Sequence, residues 1–137
     1  MLYFVVVHRG FRKPLIIATP KNLLRDKKAT SSLADMGPGT RFKRVYSEAD
    51  SAIASNADKV RRLIMCSGKV YYELVDERLR RGITDVAIVR IEQIAPFPWD
   101  RVAGEAALYS KAEVMWVQVR SHHFLVSSAT ASATAKC

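Results

Sequence analysis

Cysteine is nearly absent from this 137-residue sequence, which holds only Cys66 and the final residue, Cys137. Two thiols so far apart support neither a disulfide framework nor a zinc site. They leave a reducing, intracellular compartment as the default expectation. Histidine is equally sparse: His8, His122 and His123. The last two are adjacent, so on a helix or strand their rings diverge and cannot chelate one metal together. The six glycines form no G-x-G-x-x-G fingerprint, and no Ser, His and Asp stand at a spacing that suggests a nucleophilic triad. No apolar run approaches the ~18–20 residues of a membrane span. The Leu2–Val7 run is too short for a signal-peptide core, and no small-residue cleavage pattern follows it. Acidic residues are the scarcer charge, 13 against 22 Lys+Arg, for a formal net charge of +9.

What is present is ordinary globular material: 49% apolar and 26% charged residues, enough for one domain with a real core. The positive excess is uneven. Residues 1–62 hold 13 bases and 5 acids, a balance of +8, whereas residues 63–137 hold 9 and 8, a balance of +1. The bases come in small groups: Arg12-Lys13, Lys21 with Arg25, Lys27-Lys28, Arg41 with Lys43-Arg44, and Arg61-Arg62. Such a distribution suits nucleic acid, a phosphate-bearing ligand or an acidic partner protein, or is simply a solvated basic face. An RNP-type aromatic block, zinc-finger spacing and a basic zipper are all missing.

Four short apolar runs without strict alternation stand out: Leu15–Ala18, Leu63–Cys66, Val86–Val89 and Val114–Val117. They read as strands covered on both faces, as in a parallel sheet. Between the second and third, the spacing predicts a helix from Val70 to Arg81 with Tyr71, Leu74, Val75 and Leu79 inward and Gly82 as its stop. Between the third and fourth, Asp100 is placed to cap a helix over 101–109 with Val102, Ala106 and Tyr109 inward. These are βαβ units. Thr19-Pro20 is suited to open a short helix over 21–26, and Arg41–Tyr46 reads as a short strand with Phe42 and Val45 as its apolar members. The fold class expected is α/β, a three-layer sandwich around a mainly parallel sheet. From Ser127 to Ala135 every residue is Ser, Thr or Ala, which predicts disorder.

Two short motifs carry candidate function. Ser67-Gly68-Lys69 follows a strand and opens a helix, where free N–H groups beside a lysine suit an anion. A P-loop would need glycine where Leu63 stands and Ser or Thr where Val70 stands. The plain alternative is a tight turn with Ser67 as cap and Gly68 relaxing the backbone. In Ile94–Trp99, Pro96 and Pro98 stiffen a loop that carries Phe97 and Trp99. Those rings either meet a partner protein or fold back over the sheet. Cys66 reads as a small buried hydrophobe, and Glu73, Asp76 and Glu77 as solvent-facing charges.

Phe11-Arg12-Lys13-Pro14-Leu15-Ile16, Thr19-Pro20-Lys21, Ser67-Gly68-Lys69-Val70-Tyr71-Tyr72 and Arg90-Ile91-Glu92-Gln93-Ile94-Ala95-Pro96-Phe97-Pro98 occur in that order. Together they resemble the C-terminal domain of the decarboxylating component of 2-oxoglutarate dehydrogenase, from about Tyr3 to Gln118. The resemblance implies a transketolase C-terminal-domain-like fold over residues 11–118, after a poorly matched segment 1–10 and before a tail, 119–137, outside the family pattern. It implies a parent reaction dependent on thiamine diphosphate and magnesium: decarboxylation of 2-oxoglutarate with succinyl transfer to lipoyl groups. The cofactor sites would lie on preceding domains, so this chain is expected to hold no catalytic, cofactor or metal residue. The implied partners are a second subunit and the lipoyl-bearing succinyltransferase. The implied compartment is the mitochondrial matrix in a eukaryote and the cytoplasm otherwise. Some bacterial relatives carry a regulatory acetyl-CoA site in this domain, which makes Ser67, Gly68 and Lys69 candidate contacts for such a ligand. The rival reading is a free-standing basic module for nucleotides or RNA.

After Gln118 the family continues into paired glutamates, then Asn, Gly and Trp, whereas here stand Val119-Arg120-Ser121-His122-His123. This is expected of a frameshifted or truncated reading frame. It would leave the strand ending near Gln118 as an exposed edge and the lone chain unstable. Translating the neighbouring frames of the source DNA is expected to reveal a Glu-Glu-Pro-like continuation. Its absence from every frame after Gln118 would sink the reading.

Overall fold

The computed structural model describes residues 21–120 and 123–129, with side chains over 21–118. The strand expected at Leu15–Ala18, with Thr19 and Pro20, lies outside the described residues. The chain divides into two compact units, residues 1–31 and 32–137. In the first, the short helix expected over 21–26 is a 3-10 turn, Lys21–Arg25, followed by a second over Lys27–Ala29. Asp26 caps that second turn, accepting a hydrogen bond from the Lys28 amide at 2.9 Å.

The second unit is α/β. Its strands are β1 (Val45–Tyr46), β2 (Arg62–Cys66), β3 (Val86–Ile91), β4 (Glu113–Arg120) and β5 (His123–Ala129). The helices are α1 (Ser51–Ala54), α2 (Val70–Arg81) and α3 (Trp99–Leu108). The sheet order is β1-β3-β2-β4-β5. The three central strands run parallel, with Leu63 opposite both Ala87 and Val114. Antiparallel strands flank them: Val45 of β1 opposite Ile91, and Val117 of β4 opposite Val126 of β5.

The unbroken apolar character of β2 and β3 follows from burial on both faces. On one face Leu63, Met65, Ala87, Val89 and Ile91 form a core with Ile53 of α1 and with Val102, Ala106 and Tyr109 on and just after α3. On the other, Cys66, Ile88 and Val117 meet Val70, Tyr71, Leu74 and Val75 of α2. The chain steps from β2 to β3 in one direction and back past β2 to β4 in the other. Crossovers of one hand therefore place their helices on opposite faces. The expected three layers are present.

Several expectations change in detail. Helix α2 has the bounds read from the sequence, and Gly82 stops it at φ 62° while its N–H bonds back to Arg78 O and Leu79 O. Leu79, expected inward, is exposed, and Arg78 is buried in its stead. One residue turns the helix by about 100°, so presenting Arg78 to the sheet swings Leu79 to solvent. Helix α3 begins at Trp99 behind Pro98, with no side-chain cap. Asp100 does not cap it but receives a two-point ion pair from Arg44, at 2.7 and 3.3 Å. Proline suits this start because it has no amide to leave unpaired. The strand read over 41–46 shortens to β1, and Phe42 is exposed. The disorder expected from Ser127 is corrected over 127–129, which belong to β5; residues 130–137 lie outside the described residues. Backbone pairing to β5 also removes the bare edge expected of β4, and with it the argument for an unstable chain.

Glu48 and Arg78, missed in the sequence, close the other side of the sheet. Strand β1 pairs only with Arg90 and Ile91, so among the described residues β3 upstream of Arg90 has no strand beside it there. Glu48 accepts from the Ile88 amide at 2.7 Å, and Arg78 donates to the Val86 carbonyl at 3.0 Å. The two side chains also bind each other at 2.6 and 3.0 Å and are 1% and 6% exposed. Removing one member of such a pair leaves a buried charge uncompensated. Glu48→Gln is expected to cost about 3–5 kcal/mol in urea unfolding, against about 1 kcal/mol or less for Asp58→Asn in the exposed Lys111–Asp58 pair. Equal effects for the two would refute the assignment.

Candidate functional site at the carboxyl ends of β2 and β3

Adjacent parallel strands whose following helices leave to opposite faces open a crevice at their carboxyl ends, the usual ligand position in open α/β sheets. Here those strands are β2, followed by Ser67-Gly68-Lys69 and α2, and β3, followed by the 92–98 loop and α3. Gly68 takes φ +72°, a left-handed conformation that glycine adopts without strain. The turn delivers Lys69 to the start of α2, where no side chain caps the helix. The expected Ser67 cap is therefore not formed. Gly68 and Lys69 are exposed, and Lys69 Nζ lies 3.1 Å from Glu73 Oε1. The anion candidate is thus at the crevice with its lysine already half-neutralised.

The chemistry sequence reasoning missed is one residue further in. Arg90, opposite Cys66 in the register, has its guanidinium carbon 4.5, 4.8 and 5.5 Å from the ring centres of Tyr46, Tyr71 and Tyr72. Its Nη1 donates to the Tyr72 hydroxyl at 2.7 Å. Its Nε stands 2.8 Å from Glu92 Oε1, but off the N–H direction, so that buried donor makes no aligned hydrogen bond. Three aromatic faces and one carboxylate hold the arginine rigid. Tyr71-Tyr72 and Arg90 were visible as motif letters, but only the β2–β3 pairing and the short β1 bring them together.

The 94–99 loop divides its two rings. Phe97 is half-buried and packs on the sheet core, and Trp99 is exposed, its ring 4.6 Å from that of Phe97 in an edge-on contact. Gln93 Nε2 donates to Pro96 O at 2.6 Å and ties the loop. Phe97 thus folds back over the sheet, and Trp99 stays in solvent. Among the described residues no three His, Cys, Asp or Glu side chains converge on a point that could hold a metal ion. The donor set does not fit a magnesium diphosphate. No helix among them is long and apolar enough to cross a membrane.

Comparison with known proteins gives the context of this crevice. The profile of the family described as 2-oxoglutarate dehydrogenase C-terminal matches residues 30–122. The chain belongs to that family. The match takes in β1 to β4 and ends just before β5, along with every candidate residue named above. A Xenopus laevis protein named 2-oxoglutarate dehydrogenase-like, mitochondrial, is 52% identical over 121 residues, covering 85% of this chain and 12% of the relative. A 2-oxoadipate dehydrogenase complex component E1 homologue of Dictyostelium discoideum is 50% identical over 111 residues, 80% of this chain and 12% of its own length. The 2-oxoglutarate dehydrogenase E1 component of Brucella ovis is 43% identical over 116 residues, again 80% and 12%. The chain thus spans about one-eighth of the length of the relatives it matches.

Burial gives the family domain an alkaline limit. It pushes the Cys66 thiol up to about 11 and also raises the Tyr71 and Tyr109 phenols. Groups raised on folding contribute stability that is complete below their unfolded values, near 8.5 for a thiol and 10 for a phenol. That stability is lost as pH climbs through the folded values. The urea midpoint is expected to hold from pH 7 to about 8.5 and to fall by about pH 10.5. In Cys66→Ala part of that fall should disappear; an unchanged pH profile would show that the thiol is not responsible.

Proposed function

We propose that this chain acts as the C-terminal domain of a thiamine-diphosphate-dependent 2-oxo acid dehydrogenase E1 component, with 2-oxoglutarate as the parent substrate. The observation that carries this is the family match across the α/β unit, with relatives at 43–52% identity named for 2-oxoglutarate dehydrogenase. One relative is named for 2-oxoadipate instead; in this reading the preceding domains hold and choose the 2-oxo acid. In this reading the fold is that of a transketolase C-terminal domain. The chain supplies packing against a second subunit and the lipoyl-bearing acyltransferase, and contributes no catalytic group. Thiamine diphosphate with its magnesium would be held elsewhere, since the donor set described above does not fit it. The Xenopus laevis and Rattus norvegicus relatives are named mitochondrial, and the matrix is the proposed compartment for a eukaryotic source, the cytoplasm for a bacterial one.

Within that role, Ser67, Gly68 and Lys69 form an anion contact for a phosphate-bearing regulator such as an acyl-CoA, backed by the rigid Arg90. Phe97 braces Trp99 as a partner contact. The charge balance does not favour the rival nucleic-acid reading: residues 32–118 hold thirteen bases and twelve acids.

The test is a chimera in which this chain replaces the matching segment of the Brucella ovis component. It is expected to assemble and to oxidise 2-oxoglutarate within about tenfold of its parent once the partner enzymes are added. The lone chain given thiamine diphosphate, magnesium and 2-oxoglutarate should show no turnover. Turnover by the lone chain, or a chimera that folds but does not assemble, would overturn the proposal. In the chimera, Lys69→Ala should weaken any response to acetyl-CoA and leave the basal rate unchanged.

A further inference from the structure

The segment from Ser32 to Lys43 is exposed along its length, Gly37 apart, yet it is tied closed rather than loose. Ser32 caps the short turn Leu33–Met36 through the Ala34 amide, and the Gly37 amide bonds to Ala34 O. Thr40 returns to Gly37 O through both its amide and its hydroxyl. Lys43 Nζ closes the loop on Asp35 at 2.8 Å. What it displays is apolar: Leu33, Met36 and Phe42 are 86%, 68% and 62% exposed. Three large apolar side chains on one braced loop mark a contact surface.

The charge beside this loop is mainly positive. Phe42 lines a cleft of about 300 Å³ shared with Arg41, Lys43, Arg44, Arg101 and Glu105. The carboxylate of Glu105 is engaged by the Ser47 hydroxyl. Lys43 and Arg44 are matched by Asp35 and Asp100. Arg101 has Asp100 only at 3.8 Å, and Arg41 forms no ion pair among the described residues. Two guanidinium groups with donors to spare therefore flank an exposed aromatic ring.

We propose that the 33–42 loop and this cleft form a docking surface for an extended segment of another protein that alternates apolar side chains with carboxylates. The apolar side chains cover Phe42, Met36 and Leu33, and the carboxylates meet Arg41 and Arg101. Guanidinium–carboxylate contacts fix the register, and the aromatic ring supplies most of the buried area. This surface involves neither Lys69 nor Trp99, so it stands apart from the contacts proposed above.

The test uses the full chain and a fluorescein-labelled, N-acetylated Leu-Glu-Leu-Glu-Leu-Glu peptide, followed by anisotropy. Saturable binding that weakens with salt is expected, with none for the peptide in which lysine replaces glutamate. Arg41→Glu and Phe42→Ser should each weaken binding by about tenfold or more. Lys59→Glu, at the other cation that forms no ion pair among the described residues of the unit, should change it by less than about twofold. All three positions are exposed, and circular dichroism would verify folding. Absence of saturable binding, or equal losses for Arg41→Glu and Lys59→Glu, would overturn the proposal. So would a concentration-dependent dimer abolished by Phe42→Ser, which would make a second copy of the chain the occupant.

Discussion

A sheet edge with no strand beside it must still satisfy its amides and carbonyls, and here a buried ion pair does so. Strand β1 is two residues long and, among the described residues, leaves β3 unpaired upstream of Arg90. The carboxylate of Glu48 takes the place of a strand's carbonyl at Ile88, and the guanidinium of Arg78 the place of its amide at Val86. Paired backbone polar groups are close to obligatory in a buried setting. A hydrophobic substitute of equal volume would therefore not serve here, although it serves for many buried ion pairs. Glu48 Oε1 also accepts from the Asp50 amide at 2.9 Å, which leads the chain into α1. A single carboxylate thus joins β1, β3, α1 and α2.

The crevice depends on this joint. Glu48 lies two residues past Tyr46, and Arg78 lies two turns of helix past Tyr71. Holding both ends fixes Tyr46 and Tyr71 on either side of Arg90 at 4.5 and 4.8 Å. An arginine so enclosed has little rotamer freedom left to lose when it meets an anion, which lowers the entropic cost of binding. Lys69, on a mobile stem and paired only with an exposed glutamate, offers charge but little preorganisation. The two differ in kind, one positioned by the core and the other by the turn at Gly68.

The α/β class, the bounds of α2 and the central strands were legible because each rests on a local signal. Continuous apolar runs mark doubly covered strands, a 3–4-residue stripe marks an amphipathic helix, and Gly82 marks its stop. The inward faces were legible except at Leu79, where a tertiary demand for Arg78 overrode the hydrophobic stripe. Glu48, Arg90 and the tyrosine faces were illegible because they act across 18 to 44 positions of sequence, from Arg90–Tyr72 to Arg90–Tyr46. Their meaning comes from register, which no window of sequence shows. Strand β5 was missed because Ser and Thr dominated the reading of the tail, although Phe124, Leu125 and Val126 favour a strand.

The formal charge of +9 now has an address. Residues 32–118 carry a balance of only +1, and eleven of their thirteen lysines and arginines stand within 4 Å of a carboxylate. The exposed pairs among them add little stability, of order 0–1 kcal/mol each. Their larger effect is on the field, because opposite charges at contact distance cancel beyond about a Debye length, ~8–10 Å in physiological salt. The excess lies instead in residues 1–31, at +6, and 119–137, at +2. Long-range attraction for a polyanion therefore cannot originate in residues 32–118 of the α/β unit. Recognition by that unit must act at contact, through shape, apolar area and the few guanidinium groups that keep donors to spare, and those are the terms in which a domain of a larger assembly meets its neighbours.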